Sequence, residues 1–148
     1  MALVPQKLRE IVLQSLFSFD MGCQDEERLA KLLMEQYSTA RKTTREAVAE
    51  AKKVHASIDE LDPLIAEVSV SYDFDRIQIV EKNILRLGIY ELKIDKKPAK
   101  IVLSEAVRLA KKFGSPEAAG FVNALLDAIY KKYFFVVEVD LQKETQET

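Results

Sequence analysis

Residues 98–127, PAKIVLSEAVRLAKKFGSPEAAGFVNALLD, read as a helix, a hard stop and a second helix. Pro98 opens the first. Val102, Ala106, Leu109, Ala110 and Phe113 then fall at helical spacing, which predicts a helix over about 99–113 with one buried face. Gly114 is expected as its left-handed terminating residue. Ser115 is placed to cap the next helix, with Pro116 at its first position and Glu117 suited to its positive end. Ala118, Phe121, Val122, Leu125, Ile129 and Tyr133 form the inward stripe of that second helix. Neither helix carries a nucleophile, a metal-ligand cluster or a phosphate loop. They carry a lysine stripe and an amide–carboxylate pair, Asn123 and Asp127, equipment for holding a ligand rather than converting one.

Working outward, Asp75 with Gln78 three residues on reads as a capping box opening a helix over about 76–93. Ile77, Ile79, Val80, Ile84, Leu85, Leu87, Ile89, Tyr90 and Leu92 cover nearly its whole circumference, which predicts a central, buried post. Pro63, preceded by Asp59 and Asp62, implies a break and a short helix over about 63–68, with Ser69–Phe74 as a loop. Toward the N-terminus a helix over about 5–20 turns Leu8, Ile11, Val12, Ser15, Leu16 and Phe19 inward, with Arg9, Leu13 and Phe17 on its flank. A second, over about 25–38, turns Leu29, Leu32, Leu33 and Tyr37 inward. Thr43 or Thr44 caps a third, striped by Ala47, Ala51, Val54 and Ile58. The fold class is therefore all-α, with about seven helices in two small helical bundles, subdomains of about 1–62 and 63–133. Phe134–Leu141 has strand composition, and residues 134–148 form a C-terminal extension, partly disordered. Such a strand would pack on its own chain or on a second copy, giving a possible homodimer.

The 148 residues are 48% apolar and 31% charged, with only four Gly and four Pro, which suits helices over a turn-rich β architecture. No apolar run approaches the roughly 20 residues of a membrane helix, and no secretory signal opens the chain. Cys23 stands alone, so no internal disulfide forms, and the cytoplasm is the default location. Net charge is −2, yet the charges are separated. Residues 59–75 hold Asp59, Glu60, Asp62, Glu67, Asp73 and Asp75 with no base, whereas residues 93–112 set seven cations against Asp95 and Glu105.

Three blocks resemble the NusB family of bacterial antitermination factors. Arg9-Glu10 with Leu13-Gln14-Ser15-Leu16-Phe17 is similar to that family's opening "ARE…LQxLY". Val80-Glu81-Lys82-Asn83-Ile84-Leu85-Arg86-Leu87-Gly88-Ile89-Tyr90-Glu91-Leu92 resembles its "VEK…LRxAxYEL" helix. Pro98 to Asp127 resembles "P…EAxxLAKxFG…FVNGxLD". The resemblance covers about residues 5–130. It implies two helical subdomains, binding of boxA RNA in ribosomal RNA leaders, and a heterodimer with NusE, a small-subunit ribosomal protein, within the RNA polymerase antitermination complex. It implies no cofactor and no catalysis. The family's arginine cluster is thinned here to Lys7 and Arg9, among Pro5, Gln6 and Leu8, and its FVNG glycine is Ala124.

Beside that resemblance, the residues carry their own readings. Lys97, Lys100, Ser104, Arg108 and Lys111 follow spacings of 3, 4, 4 and 3, so they share a face that either tracks phosphates or is merely solvated. Lys7 and Arg9, cations near a helix start where the dipole disfavours them, suit RNA phosphates. Phe17 is a stacking platform or core. Asn123 ties helices together or reads a base edge. The RNA candidates are thus Lys7, Arg9, Phe17, Lys111 and Asn123. Glu81, Arg86 and Glu91 interrupt the apolar central helix as an internal ion pair or as a docking face for a basic partner, toward which the acidic block would steer. His55 lacks any second ligand at metal spacing. The alternative function is a protein-only interaction module of the same fold.

Overall fold

The computed structural model describes residues 5–69 and 73–135. It divides into two compact units, Met1–Asp59 and Glu60–Thr148. In the first, α1 (Pro5–Asp20) packs on α3 (Arg41–Ala56), and α2 (Glu26–Tyr37) packs on α3. Ile11, Leu16, Ala51 and Val54 are wholly buried. Ser15 is buried with them because its hydroxyl donates to the Ile11 carbonyl at 2.8 Å, which removes the cost of an unpaired polar group. Leu13, expected on the flank, is also buried, whereas Leu32, expected inward, is 55% exposed. The buried stripe of α2 runs through Leu29, Leu33 and Ala30, which swings it away from Leu32.

Local chemistry explains the ends of these helices. Asp25 caps α2, its carboxylate accepting the Arg28 N–H at 3.1 Å. Neither threonine caps α3. Its cap is Ala40, and Thr44 lies inside the helix, buried, donating its hydroxyl to the Ala40 carbonyl at 2.9 Å. Gly22 reverses the chain after α1 at φ +92°, a conformation that costs other residues a Cβ clash.

The second unit contains most of α4 (Ile58–Val68), all of α5 (Ile79–Lys93), α6 (Ala99–Phe113) and α7 (Ala118–Ile129), a 3-10 turn at Phe74–Arg76 and a π-helical turn at Tyr130–Phe134. Pro63 does not break α4 but sits inside it. A proline there forfeits a backbone bond at a cost of about 3 kcal/mol. Full burial of the neighbouring Leu61 and Ile65, about 1.5–3 kcal/mol each, offsets that loss. The expected Asp75–Gln78 capping box is not formed: α5 starts three residues later, after Gln78, which makes no side-chain cap bond, and Asp73 instead caps the 3-10 turn that holds Asp75.

The central helix is as buried as its apolar circumference requires. α5 packs against α6, α7 and the π-helical turn, and Ile84, Leu85 and Ile89 are sealed from solvent. Its polar residues are buried too, so they need partners. The Arg86 guanidinium grips Asp62 of α4 with two parallel bonds of 2.7 and 2.8 Å and donates a third, of 3.1 Å, to Asn83. Lys97 donates to Glu91 at 2.9 Å.

Gly114 is extended (φ −99°, ψ −175°), not left-handed. Its importance is steric: a Cβ there would lie 2.7 Å from the Ala118 Cβ and 2.9 Å from the Ala110 carbonyl. The α6–α7 turn closes too tightly for any side chain. Ser115 places its backbone carbonyl, not a cap, at the Ala118 N–H, 3.0 Å away. The strand expected from Phe134 is not formed over the described residues. Tyr130–Phe134 continues α7 as a π-helical turn, and Phe135 stays helical. Lys132 and Tyr133 both donate to Glu67 of α4, which favours the helical continuation. The remainder of the expected strand lies in residues 136–148, outside the described residues.

Two outcomes follow from this packing. Gly114→Ala should destabilise the fold by about 1–3 kcal/mol through overpacking, read as a lower urea midpoint at unchanged slope. The Glu67 carboxyl is held below its ordinary pKa of 4.5, first by the Lys132 bond and then by the Tyr133 bond. A lowered folded pKa stabilises above the unfolded value and is lost as pH falls through the folded one. Amide exchange across Tyr130–Phe134 should therefore accelerate, beyond its intrinsic pH dependence, as pH drops below 4.5, and Glu67→Gln should show that acceleration already at pH 7.

Candidate nucleic-acid interface

α6 buries Val102, Glu105, Ala106, Leu109 and Ala110 and turns Lys100, Ser104 and Lys111 to solvent. The cationic stripe is thereby sorted. Lys97 is held by Glu91 at 2.9 Å and lies 3.8 Å from Asp95. Arg108 donates to Glu105 at 2.5 Å. Lys100 and Lys111 are exposed and make no ion pair among the described residues. Between α6 and α7 lies a shallow depression of about 480 Å³, lined by Leu103, Ser104, Val107, Arg108, Lys111 and Asn123. Asn123 is exposed on its rim. The expected amide–carboxylate pair is separated, since Asp127 pairs instead with Lys131 at 3.0 Å.

In the first unit, Lys7 is exposed, Arg9 half-buried, and Phe17 41% exposed with Met21 one turn on at 69%. Phe17 is thus available as a platform. One basic group escapes the sequence reading. Arg41, Lys42 and Arg45 line a second depression with Glu46 and Ala49 at the start of α3. Arg45 and Arg41 reach Glu27 of α2 at 2.6 and 3.4 Å, and the Arg45 bond first of all lowers the Glu27 pKa. The signal is present as cations in the first turn of a helix, where the dipole opposes them, but their convergence needs the α2–α3 packing.

The three docking candidates on α5 are all buried: Glu81 is 4% exposed, Arg86 6% and Glu91 4%. Arg86 is engaged in an internal ion pair with Asp62, one of the two roles its sequence left open, and Glu91 is held by Lys97. Glu81 differs. Its Oε2 is buried without a hydrogen-bond partner, and it lines a pocket of about 200 Å³ with Arg76, Ile77, Gln78, Ser115, Glu117, Ala118 and Phe121. Phe121, expected in the core, is half-buried at this pocket. Half of the acidic block is paired within the molecule: Asp62 on Arg86, Glu67 on Lys132, and Glu60 beside Lys93 at 3.5 Å, while Asp59, Asp73 and Asp75 are exposed. Among the described residues no group of three or more His, Cys, Asp or Glu could hold a metal ion, and no helix is long and apolar enough to cross a membrane.

The sequence profile of the NusB family matches residues 6–131. The chain belongs to the NusB family. It is 38% identical over 126 residues to the transcription antitermination protein NusB of Chlamydia pneumoniae, covering 84% of this chain and 79% of that protein. It is 36% identical over 124 residues to the NusB of a Nitratiruptor species, covering 84% and 89%. Among solved structures, T. maritima NusB superimposes with a TM-score of 0.72 at 28% identity, covering 88% of this chain and 93% of that one. The antitermination factors NusB and NusE in complex with double-stranded RNA include a chain that superimposes at 0.69 with 32% identity, covering 86% and 96%. The matched span takes in all three NusB-like sequence blocks and stops before Lys132.

A buried carboxylate with an unsatisfied oxygen lowers stability by about 1–3 kcal/mol. If Glu81 is kept in this NusB fold for binding rather than folding, Glu81→Met should raise the urea midpoint, consistent with the stability–function trade-off at binding sites. A lower midpoint would make Glu81 a structural residue.

Proposed function

We propose that the chain is an RNA-binding transcription antitermination factor that acts with NusE on boxA-type leader RNA. One observation carries this reading: a chain of the same fold, at 32% identity and covering 86% of this one, is seen with NusE and RNA together. Lys7, Arg9 and Phe17 in the first unit, and Lys111 and Asn123 in the second, hold the RNA by phosphate contacts, stacking and base-edge hydrogen bonds. Glu81 receives a cationic side chain of NusE, since its unpartnered oxygen and the nearby Glu117 make that pocket a poor seat for phosphate. The pair then rides with RNA polymerase through terminators, in the bacterial cytoplasm where transcripts form. No bond is made or broken. Two modest affinities combine, because NusE adds its own RNA surface and raises the effective concentration.

A second reading, a protein-only module, draws on the internal pairing of Lys97 and Arg108, which leaves few open cations on the α6 stripe. Titrating boxA RNA over a range of salt, with and without NusE, separates the two. The RNA-binding factor should bind weakly alone, at least tenfold more tightly with NusE, and with an affinity that falls steeply with salt. A flat salt dependence with intact NusE binding would favour the module. Lys7→Ala with Arg9→Ala should lower the salt slope by about two, one per lost phosphate contact.

A further inference from the structure

We infer that the α6–α7 groove seats one unpaired nucleotide, its base lying on Leu103 and Val107 and its edge read by Asn123. This rests on the RNA-binding reading and adds a subsite, a strand state and a specificity-determining residue.

The floor comes first. Leu103 and Val107 stand one turn apart on α6 and are both half-buried, so among the described residues they leave a partly open apolar surface in the groove. The rim is polar and unspent: Ser104, Lys111 and Asn123 are exposed and make no hydrogen bond or ion pair among the described residues. Of the two roles open to Asn123, a tie between helices or a contact with a base, the tie is not made. Its amide offers a donor and an acceptor side by side, the pattern that complements the edge of a nucleobase. Lys111, two helical turns beyond Ser104, supplies a point charge for the phosphate.

Charge selects the occupant. No carboxylate lines this groove; Arg108 is paired with Glu105 beneath it, and Lys111 brings the open positive charge. Two further depressions among the described residues mix carboxylates with their cations, Glu46 with Arg41, Lys42 and Arg45 on α3, and Glu81 and Glu117 with Arg76 beside α7, and those carboxylates oppose a polyanion. A basic protein segment would be repelled here, and an acidic one leaves the apolar floor unused. A base paired in a helix has its Watson–Crick edge paired and both faces stacked, so it cannot lie on the apolar floor, and the seat takes an unpaired nucleotide.

The test uses the full chain, with NusE wherever it is needed for measurable affinity. Single-stranded leader RNAs carry an abasic ribose at each position in turn, and affinity is read by fluorescence anisotropy at fixed salt. Asn123 is exposed and unpartnered, so Asn123→Ala should fold as wild type. At one position the abasic RNA should bind wild type about tenfold more weakly. Asn123→Ala should lose that same factor on intact RNA and nothing further on that one abasic RNA. Ser104→Ala should lose less, at the same position. Lys111→Ala should instead weaken every RNA alike and lower the salt slope by about one. A loss with Asn123→Ala that is equal for all abasic RNAs, no loss at all, or duplex bound as tightly as single strand would overturn the nucleotide seat while leaving RNA binding intact. Loss of NusE affinity alone would assign the groove to protein and overturn the proposal. Absence of RNA binding by wild type with NusE would remove the underlying reading as well.

Discussion

Burial of α5 is the constraint on which the second unit rests. A helix with no solvent face gains several fully buried aliphatic side chains, and it must also find partners for every polar group it carries inside. Arg86 meets that requirement with the Asp62 fork and Asn83, and Glu91 with Lys97. The fork joins α5 to α4 across 24 residues of sequence, and Lys97 closes the turn that leads into α6. Breaking either partner would strand a buried charge, which is far costlier than the net worth of the pair. The central post thus dictates where α4 and the start of α6 lie.

The same constraint leaves one exception. Glu81 sits on the same buried helix, yet its Oε2 has no partner and the residue lines an open pocket. A fold that satisfies its other α5 side chains and leaves this oxygen open concentrates an unmet electrostatic demand at one place. The open pocket gives an incoming cation a route to it. On α6 the logic is reversed: Arg108 and Lys97 are neutralised locally, and Lys111 with Lys100 keeps its charge for solvent or ligand. Two separate surfaces of different character result, one holding an unpartnered carboxylate oxygen and the other open lysines.

Much of this is legible in the chain. Helical spacing places α1 and α6 at their observed ends, the all-round apolar pattern marks α5 as buried, and the three NusB-like blocks carry the family. Those signals are local or periodic, and one strand of sequence holds all of their information. The failures share a cause. Pro63 reads as a break because its local cost is visible and the burial of Leu61 and Ile65 is not. Gly114 reads as a left-handed cap because backbone freedom is glycine's usual use, whereas here the crowding comes from Ala118 and Ala110. Phe134 and Phe135 have strand composition but stay helical in a turn tied to Glu67, 66 residues away.

The amino-acid sequence by itself determined the helices, the buried identity of α5 and the family, since periodicity and motif are properties of neighbours along a chain. Only the tertiary structure decided which charges are spent and which are open. Arg86, Glu91, Arg108 and Lys97 look like Glu81 and Lys111 on paper. They differ because pairing depends on distances between residues brought together by packing, and a Coulombic partner a few ångströms away in space leaves no mark in the sequence.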